Sequence, residues 1–187
     1  MTTPNRSSGR SPRHNRGSRL PLTPETEPTR PLNVTIDVES FDSPDAKRLI
    51  AALDDQLATR YAPSQMFGRN LKPEHLVDGQ GLFLVARVDG RATGCGAVRR
   101  LDESTAEIKR MYVEPAFRGK GIARLILEQL ESAARNLGVR RLVLETGVHQ
   151  HEAIRLYRRD GFTVLPCWGG YAGSATSLCF EKLMDPQ

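Results

Sequence analysis

Between Met111 and Glu131 the chain reads MYVEPAFRGKGIARLILEQLE. A β-type run ends there, Pro115 prevents its continuation, and the basic glycine loop Arg118-Gly119-Lys120-Gly121 opens onto a helical period carried by Ile122, Leu125, Ile126, Leu130, Ala133 and Leu137, with Gly138 as the stop. Upstream, Gly81 to Val88, a second run through Val98 and a third from Ala106 to Val113 read as strands, the first two joined by the hairpin signal Asp89-Gly90. Connections this short force antiparallel neighbours, because a parallel pair needs a crossover of a dozen or more residues. Downstream come a strand at Arg141 to Glu145 and a helix at Glu152 to Arg159 ending at Gly161, which predict a right-handed parallel crossover. Phe162 to Leu165 and Ser177 to Leu183 read as two closing strands. The chain therefore changes from antiparallel pairing to a parallel crossover at the glycine loop.

Ahead of this unit, Val34, Ile36 and Val38 alternate with polar residues as a half-buried strand. A helix is expected next, with Ser43 as N-cap, Pro44 at the first helical position, and Ala46, Leu49, Ile50, Leu53, Leu57 and Tyr61 at helical spacing. Residues 62–79 read as a loop with a short helical piece at Glu74 to Val77. Length is compatible with one core of ordinary size, spanning 32–187.

Residues 1–31 differ in kind. They hold six Arg and two Glu, so this arm carries +4 of the net +5 and the remainder is nearly neutral. Rich in Pro, Ser, Gly, Thr and Arg, the arm cannot offset its ordering entropy by burial and is expected to be disordered. Contact with nucleic acid is expected, if anywhere, only through this arm, and a solvated extension is the simpler reading. No apolar run approaches the ~20 residues that cross a bilayer, and no signal-type h-region opens the chain, so a cytoplasmic location and no membrane partner are expected. Cys95, Cys167 and Cys179 show neither a disulfide framework nor a CxxC spacing, and all three are expected as reduced thiols packed as small hydrophobes.

The loop at Arg118 to Gly121 has the parts of a phosphate or pyrophosphate site. Glycines allow close approach of backbone, the helix start presents unpaired amides and a positive dipole end, and Arg118 and Lys120 add charge. A Walker A loop is excluded because Gly121, not Ser or Thr, follows Lys120. A dinucleotide fingerprint fits poorly, since Arg124 stands where its third glycine belongs, although Glu145 ends the next strand where a ribose-binding acid would stand.

The hexapeptide Arg118 to Ala123, RGKGIA, resembles the R/Q-x-x-G-x-G/A motif with which GNAT acetyltransferases hold the pyrophosphate of acetyl-CoA. Leu156 to Phe162, LYRRDGF, resembles that superfamily's LY-x-x-x-GF, and the two motifs stand in the expected order. The resemblance covers about Leu32 to Leu183 and implies an α+β fold with a mostly antiparallel central sheet, flanking helices and a parallel, splayed strand pair where acetyl-CoA enters. It implies a donor site made from Met111, Tyr112, Val113, Arg118, Gly119, Lys120, Gly121, Ile122 and Ala123, with main chain at Met111 and Val113 pairing with the pantetheine arm like an added strand. Gln150, three residues before Ala153, stands where the family often carries Asn.

The activity implied is transfer of an acetyl group to an amine, small or protein-borne, without metal. Glu107, eleven residues before Arg118 on the preceding strand, is the candidate base, with Glu103 as a weaker alternative; an exposed strand residue paired with an arginine is the competing account of Glu107. Tyr157 is the implied proton donor to the CoA sulfur, and a backbone amide near Met111, freed at a strand irregularity, the expected oxyanion donor. Trp168 and Tyr171 either wall the acceptor pocket or anchor packing, and Tyr61 to Gly68 forms the other expected wall. His149 and His151 lack partners at ligand spacing and are expected as exposed loop residues. A catalytically silent acyl-CoA sensor or interaction module is the alternative reading, and assembly as a homodimer is left open.

Overall fold

A computed structural model of the chain describes residues 1–2, 32–65 and 71–184. Residues 3–31 of the expected disordered arm, and residues 66–68 of the expected acceptor wall, lie outside the described residues.

Seven strands form one sheet in the order β1-β2-β3-β4-β5-β7-β6, comprising β1 (Val34–Val38), β2 (Gly81–Val88), β3 (Arg91–Arg100), β4 (Thr105–Val113), β5 (Arg141–Gly147), β6 (Thr163–Leu165) and β7 (Ser177–Leu183). Pairing is antiparallel everywhere except between β4 and β5. The hairpin at Asp89-Gly90 has both residues at positive φ, as a two-residue turn of the primed type requires. The last strand in sequence, β7, inserts between β5 and β6, an order that the run of the chain does not reveal.

Three helices cover the sheet: α1 (Pro44–Ala58), α2 (Ile122–Asn136) and α3 (His151–Arg159). Ser43 caps α1 by accepting from the Ala46 amide, and Tyr61 falls beyond the helix end, on the far side of the cap residue Thr59. Two 3₁₀ turns, Pro63–Gln65 and Pro73–Leu76, punctuate the following loop.

The two faces of the sheet carry separate cores. Ile122, Ile126, Leu127 and Leu130 of α2 pack with Val98, Ala106, Ile108, Leu142 and Leu144, and Tyr157 and Phe162 extend this cluster. On the opposite face Leu49 and Leu53 of α1 pack with Phe83, Val85, Ala97 and Tyr112.

Along β4 the alternation breaks once. Ala106 and Ile108 face α2, and so do Met111 and Val113, a step of three where a regular strand would step by two or four. Arg110 accounts for the slip: it sits at φ 57, and β3 opposes β4 in register as Cys95 to Tyr112 but Ala97 to Lys109, so one residue faces two. This is a β-bulge, which bends its strand and re-aims side chains. Its location fits the strand irregularity expected near Met111.

One expectation about the cysteines is corrected. Cys167 and Cys179 form a disulfide with Cα atoms 5.2 Å apart, whereas Cys95 is free and fully buried. Leu165 of β6 lies opposite Cys179 of β7, so the chain leaving β6 carries Cys167 past its partner. That proximity arises from strand pairing and has no signature in the spacing. Among the described residues no helix is long and apolar enough to cross a membrane.

Candidate active site

The parallel pairing of β4 with β5 runs only from Thr105 opposite Arg141 to Ile108 opposite Leu144. Beyond it the bulge turns β4 away and the strands part. A cavity of ≈ 80 Å³ opens at the parting, lined by Glu107, Lys109, Arg110 and Met111 of β4, Glu145 and Thr146 of β5, Leu53 and Leu57 of α1, Gln150, Ala153 and Tyr157 around α3, and Tyr171. A space of this size admits an acyl end and an amino group but not the nucleotide half of a CoA ester.

A second feature, open to the surface, lies at the start of α2. Gly119 and Gly121 lie at φ +74 and +81, and a Cβ built on either would meet nothing within 4 Å. Glycine is therefore demanded here by the backbone conformation, not by crowding. Gly121 is the N-cap residue of α2 and no side chain caps the helix, so its first-turn amides and dipole end are left to an anion. Ile122 is buried in the core and Ala123 half-buried.

Arg118 is placed differently from a simple phosphate ligand. Its Nε donates to the Val113 carbonyl at 2.8 Å, its guanidinium also bonds Gln56, and it lies 5.8 Å from the centre of the Tyr112 ring. Lys120 lies over Phe117 at 5.2 Å. The Val113 carbonyl thus holds the Arg118 side chain, and Tyr112 packs in the α1-side core, where burial pushes its phenol up. Of the expected donor residues, Met111 and Gln150 line the cavity itself.

Tyr157 is 4% exposed and reaches the cavity from α3, flanked by Phe162 and Phe180. Burial, and secondarily the Glu145 charge, push its phenol well up, so it keeps its proton.

Glu107 has become something other than an exposed strand carboxylate. It is 1% exposed. Its Oε2 accepts from Arg99 Nε at 2.9 Å and lies 2.7 Å from a second Arg99 nitrogen, while its Oε1 accepts from the Tyr171 hydroxyl at 2.9 Å and from Lys109 Nζ at 3.4 Å. Lys109 in turn donates to Tyr171 at 2.7 Å, and burial pulls its ammonium down against the opposing pull of Glu107. Glu103 lies on an exposed turn away from this cluster.

Tyr171 therefore does both of the jobs considered for it: it lines the cavity and it anchors packing, with Trp168 edge-on at 5.5 Å. Tyr61 packs into the strand end at Gly147, where an added Cβ would fall 2.1 Å from the Tyr61 hydroxyl. That hydroxyl accepts from the His149 amide at 2.8 Å, and the exposed His149 ring stacks on Tyr61.

Sequence reasoning did not single out Lys109, Arg110 or Thr146 as site residues, and weighed Glu145 only as a ribose-binding acid. Glu145 is half-buried on the cavity wall. Burial pushes its carboxyl up, opposed by the neighbouring Ser177 hydroxyl and Lys109 and reinforced by Glu107. A usable signal existed: Glu145 follows Leu142 and Leu144 at the end of a buried strand, so it had to face away from their core.

Comparison with known proteins agrees with this geometry. The family model described as "Acetyltransferase (GNAT) family" matches residues 37–162. A protein of Azospirillum brasilense named IAA acetyltransferase is 41% identical over 157 residues, covering 80% of this chain and 97% of that one. A solved structure from Klebsiella pneumoniae, named as an acyl-CoA N-acyltransferase, superposes with a TM-score of 0.70 at 33% identity, covering 81% of this chain and 98% of that chain. A GNAT family acetyltransferase from Elizabethkingia anophelis, solved with acetyl-CoA bound, shares the fold at TM-score 0.57 and 20% identity over 81% of this chain and 99% of that chain. The family match, the identity to these relatives and the shared fold together show that the chain belongs to the GNAT family of acetyltransferases.

Proposed function

We propose that the protein transfers the acetyl group of acetyl-CoA to a primary amine by direct attack of the amine on the thioester, with residues 32–187 as the catalytic domain. The observation that carries this is the junction of two spaces: a small cavity at the β4–β5 parting, and beside it the uncapped N-terminus of α2 with its positive-φ glycines.

Main-chain amides from Gly119 to Ala123, with Lys120 and Arg118, would hold the pyrophosphate. For Arg118 this means exchanging the Val113 carbonyl for phosphate oxygens, which would also free that carbonyl for the pantetheine amide. Gln150 stands on the cavity wall within range of the same arm.

At the reacting end, main chain at the Arg110 bulge supplies the oxyanion donor, since a residue facing two partners cannot satisfy both as a regular ladder does. Tyr157 gives its proton to the departing sulfur. Burial keeps the Tyr157 phenol protonated and so available as a donor, and the proton that the nitrogen loses as the amide forms returns to its oxygen. The acceptor enters from the α1 side, between Leu53, Leu57 and Tyr171.

The donor placement is tested by calorimetry of acetyl-CoA on Arg118→Ala combined with Gly121→Asp. The strained aspartate backbone and its added negative charge are expected to weaken binding by about a hundredfold, roughly 2.7 kcal/mol. Unchanged affinity would put the pyrophosphate elsewhere.

A further inference from the structure

We infer that Glu145, not Glu107, is the carboxylate that takes the proton from the acceptor amine, and that Glu107 serves as a fixed counter-ion for Arg99 and Lys109. This rests on the acetyl-transfer reading above and assigns one role within it.

The two carboxylates lie on the same face of adjacent strands. Glu107 pairs in register with Val143, and Glu145 stands two residues further along β5, one beyond the last β4–β5 pair at Ile108 and Leu144. Leu142 and Leu144 point into the α2-side core, which sends Glu145 to the acceptor side. Its carboxyl therefore sits where the strands separate, at the mouth through which an amine meets the thioester.

Their surroundings are opposite. Glu107 is sealed at 1% exposure, and both of its oxygens already accept from charged or phenolic donors. An incoming amine would have to displace Tyr171 or Lys109 to reach it. Glu145 is partly exposed on the cavity wall, and among the described residues it forms no ion pair. The Ser177 hydroxyl lies beside it and engages one of its lone pairs, which leaves the others of the carboxylate free. A carboxylate of this kind has a lone pair to offer. The titratable groups around it are Glu107 and Lys109 on β4, Tyr157 on α3, Tyr171 in the β6–β7 loop and Tyr61 beyond α1. Burial, with Glu107 adding to it, moves the Glu145 carboxyl up towards the working range of a base.

The step balances as follows. The bound ammonium gives one proton to Glu145, which passes it to solvent. The freed nitrogen lone pair forms the C–N bond while the electron pair of the C–S bond leaves with sulfur. The second nitrogen proton replaces the one that Tyr157 hands to sulfur, so the products are an amide, a free thiol and one solvated proton.

The test is the pH dependence of kcat/KM for the full chain, from about pH 5 to about pH 9, with acetyl-CoA and whichever of butylamine, tyramine and L-lysine the wild type turns over fastest. Wild type should show a rate that climbs with pH as Glu145 loses its proton. Glu145→Gln should lose that limb, fall about a hundredfold near neutral pH and recover at alkaline pH, where solution supplies free amine. Its acetyl-CoA affinity by calorimetry should be unchanged, which a merely structural loss would not allow. Glu145→Asp should keep the limb at reduced rate, and it serves in place of the glutamine variant if that one does not fold. Retention of the limb in Glu145→Gln with a rate within about threefold of wild type would overturn the assignment, as would a parallel loss of acetyl-CoA affinity. Acetyl-CoA binding by wild type without turnover of any of the three amines would instead bring down the amine-transfer reading, and this assignment with it.

Discussion

At β4 and β5 the two faces of one sheet are built from opposite materials. Towards α2, Ala106, Ile108, Leu142 and Leu144 meet Ile126, Leu127 and Leu130, and the contact is wholly aliphatic. Towards α1, the same strands bury Glu107 and Lys109 at 1% and 7% exposure and recruit Arg99 from β3 and Tyr171 from the β6–β7 loop. The aliphatic face tolerates any packing of the right volume, whereas the ionic face depends on every partner being present. Removing water from charges is costly, and it is offset only when the geometry is complete. The second face supplies fixed charges and oriented donors to the cavity wall, which the aliphatic contacts of the first do not.

The sharpest way to break this comparison is to remove the anion alone. Glu107→Ala leaves Arg99 and Lys109 buried beside each other and is expected to cost about 3–5 kcal/mol in urea denaturation. A loss below about 1 kcal/mol, the range of exposed pairs, would mean that water enters the cluster and that the faces are less different than drawn.

Next in size is the tether that holds the loop bearing Tyr171. Opening the Cys167–Cys179 bridge, by a dithiol or by Cys167→Ser, should lower stability by roughly 3 kcal/mol, as expected for a closed loop of this length. It should also weaken turnover more than acetyl-CoA binding, since the loop touches the acceptor side and not the α2 loop. Equal melting temperatures with and without reductant would remove the bridge from the account.

The smallest expected effect is that of Tyr171→Phe, which deletes a donor to Glu107 and an acceptor for Lys109 while keeping the ring against Trp168. About 1.5–3 kcal/mol is expected by denaturation, the scale of a buried hydrogen bond to a charged group. If the loss instead matched that of Glu107→Ala, Tyr171 would be the keystone of the cluster and not one of its members.

How much of this could be read beforehand differs by region. The β4-to-α2 unit was legible because its signals are contiguous: Pro115, the glycines at 119 and 121 and the period from Ile122 onward all act within one stretch of chain. Tyr157 was legible through the motif around it. Glu107 was located correctly on its strand and an arginine partner was among the expectations for it, but its burial was not, because Arg99 meets it across an antiparallel register and Tyr171 arrives from 64 residues away. The bulge was expected near Met111, and its placement at Arg110 depended on how β3 packs beside β4. The cysteines were misread for a related reason, since what joins Cys167 to Cys179 is the pairing of β6 with β7.

By itself, then, the sequence determined the β4-to-α2 unit: a strand, a proline, two glycines that only a left-handed backbone explains, and an amphipathic helix, all local properties of the covalent chain. The tertiary structure alone decided the surroundings of the cavity. Which carboxylate is sealed by cations and which faces the cavity follows from strand register and from a loop folding back over the sheet. Those are contacts between residues far apart in sequence, and no local pattern encodes them.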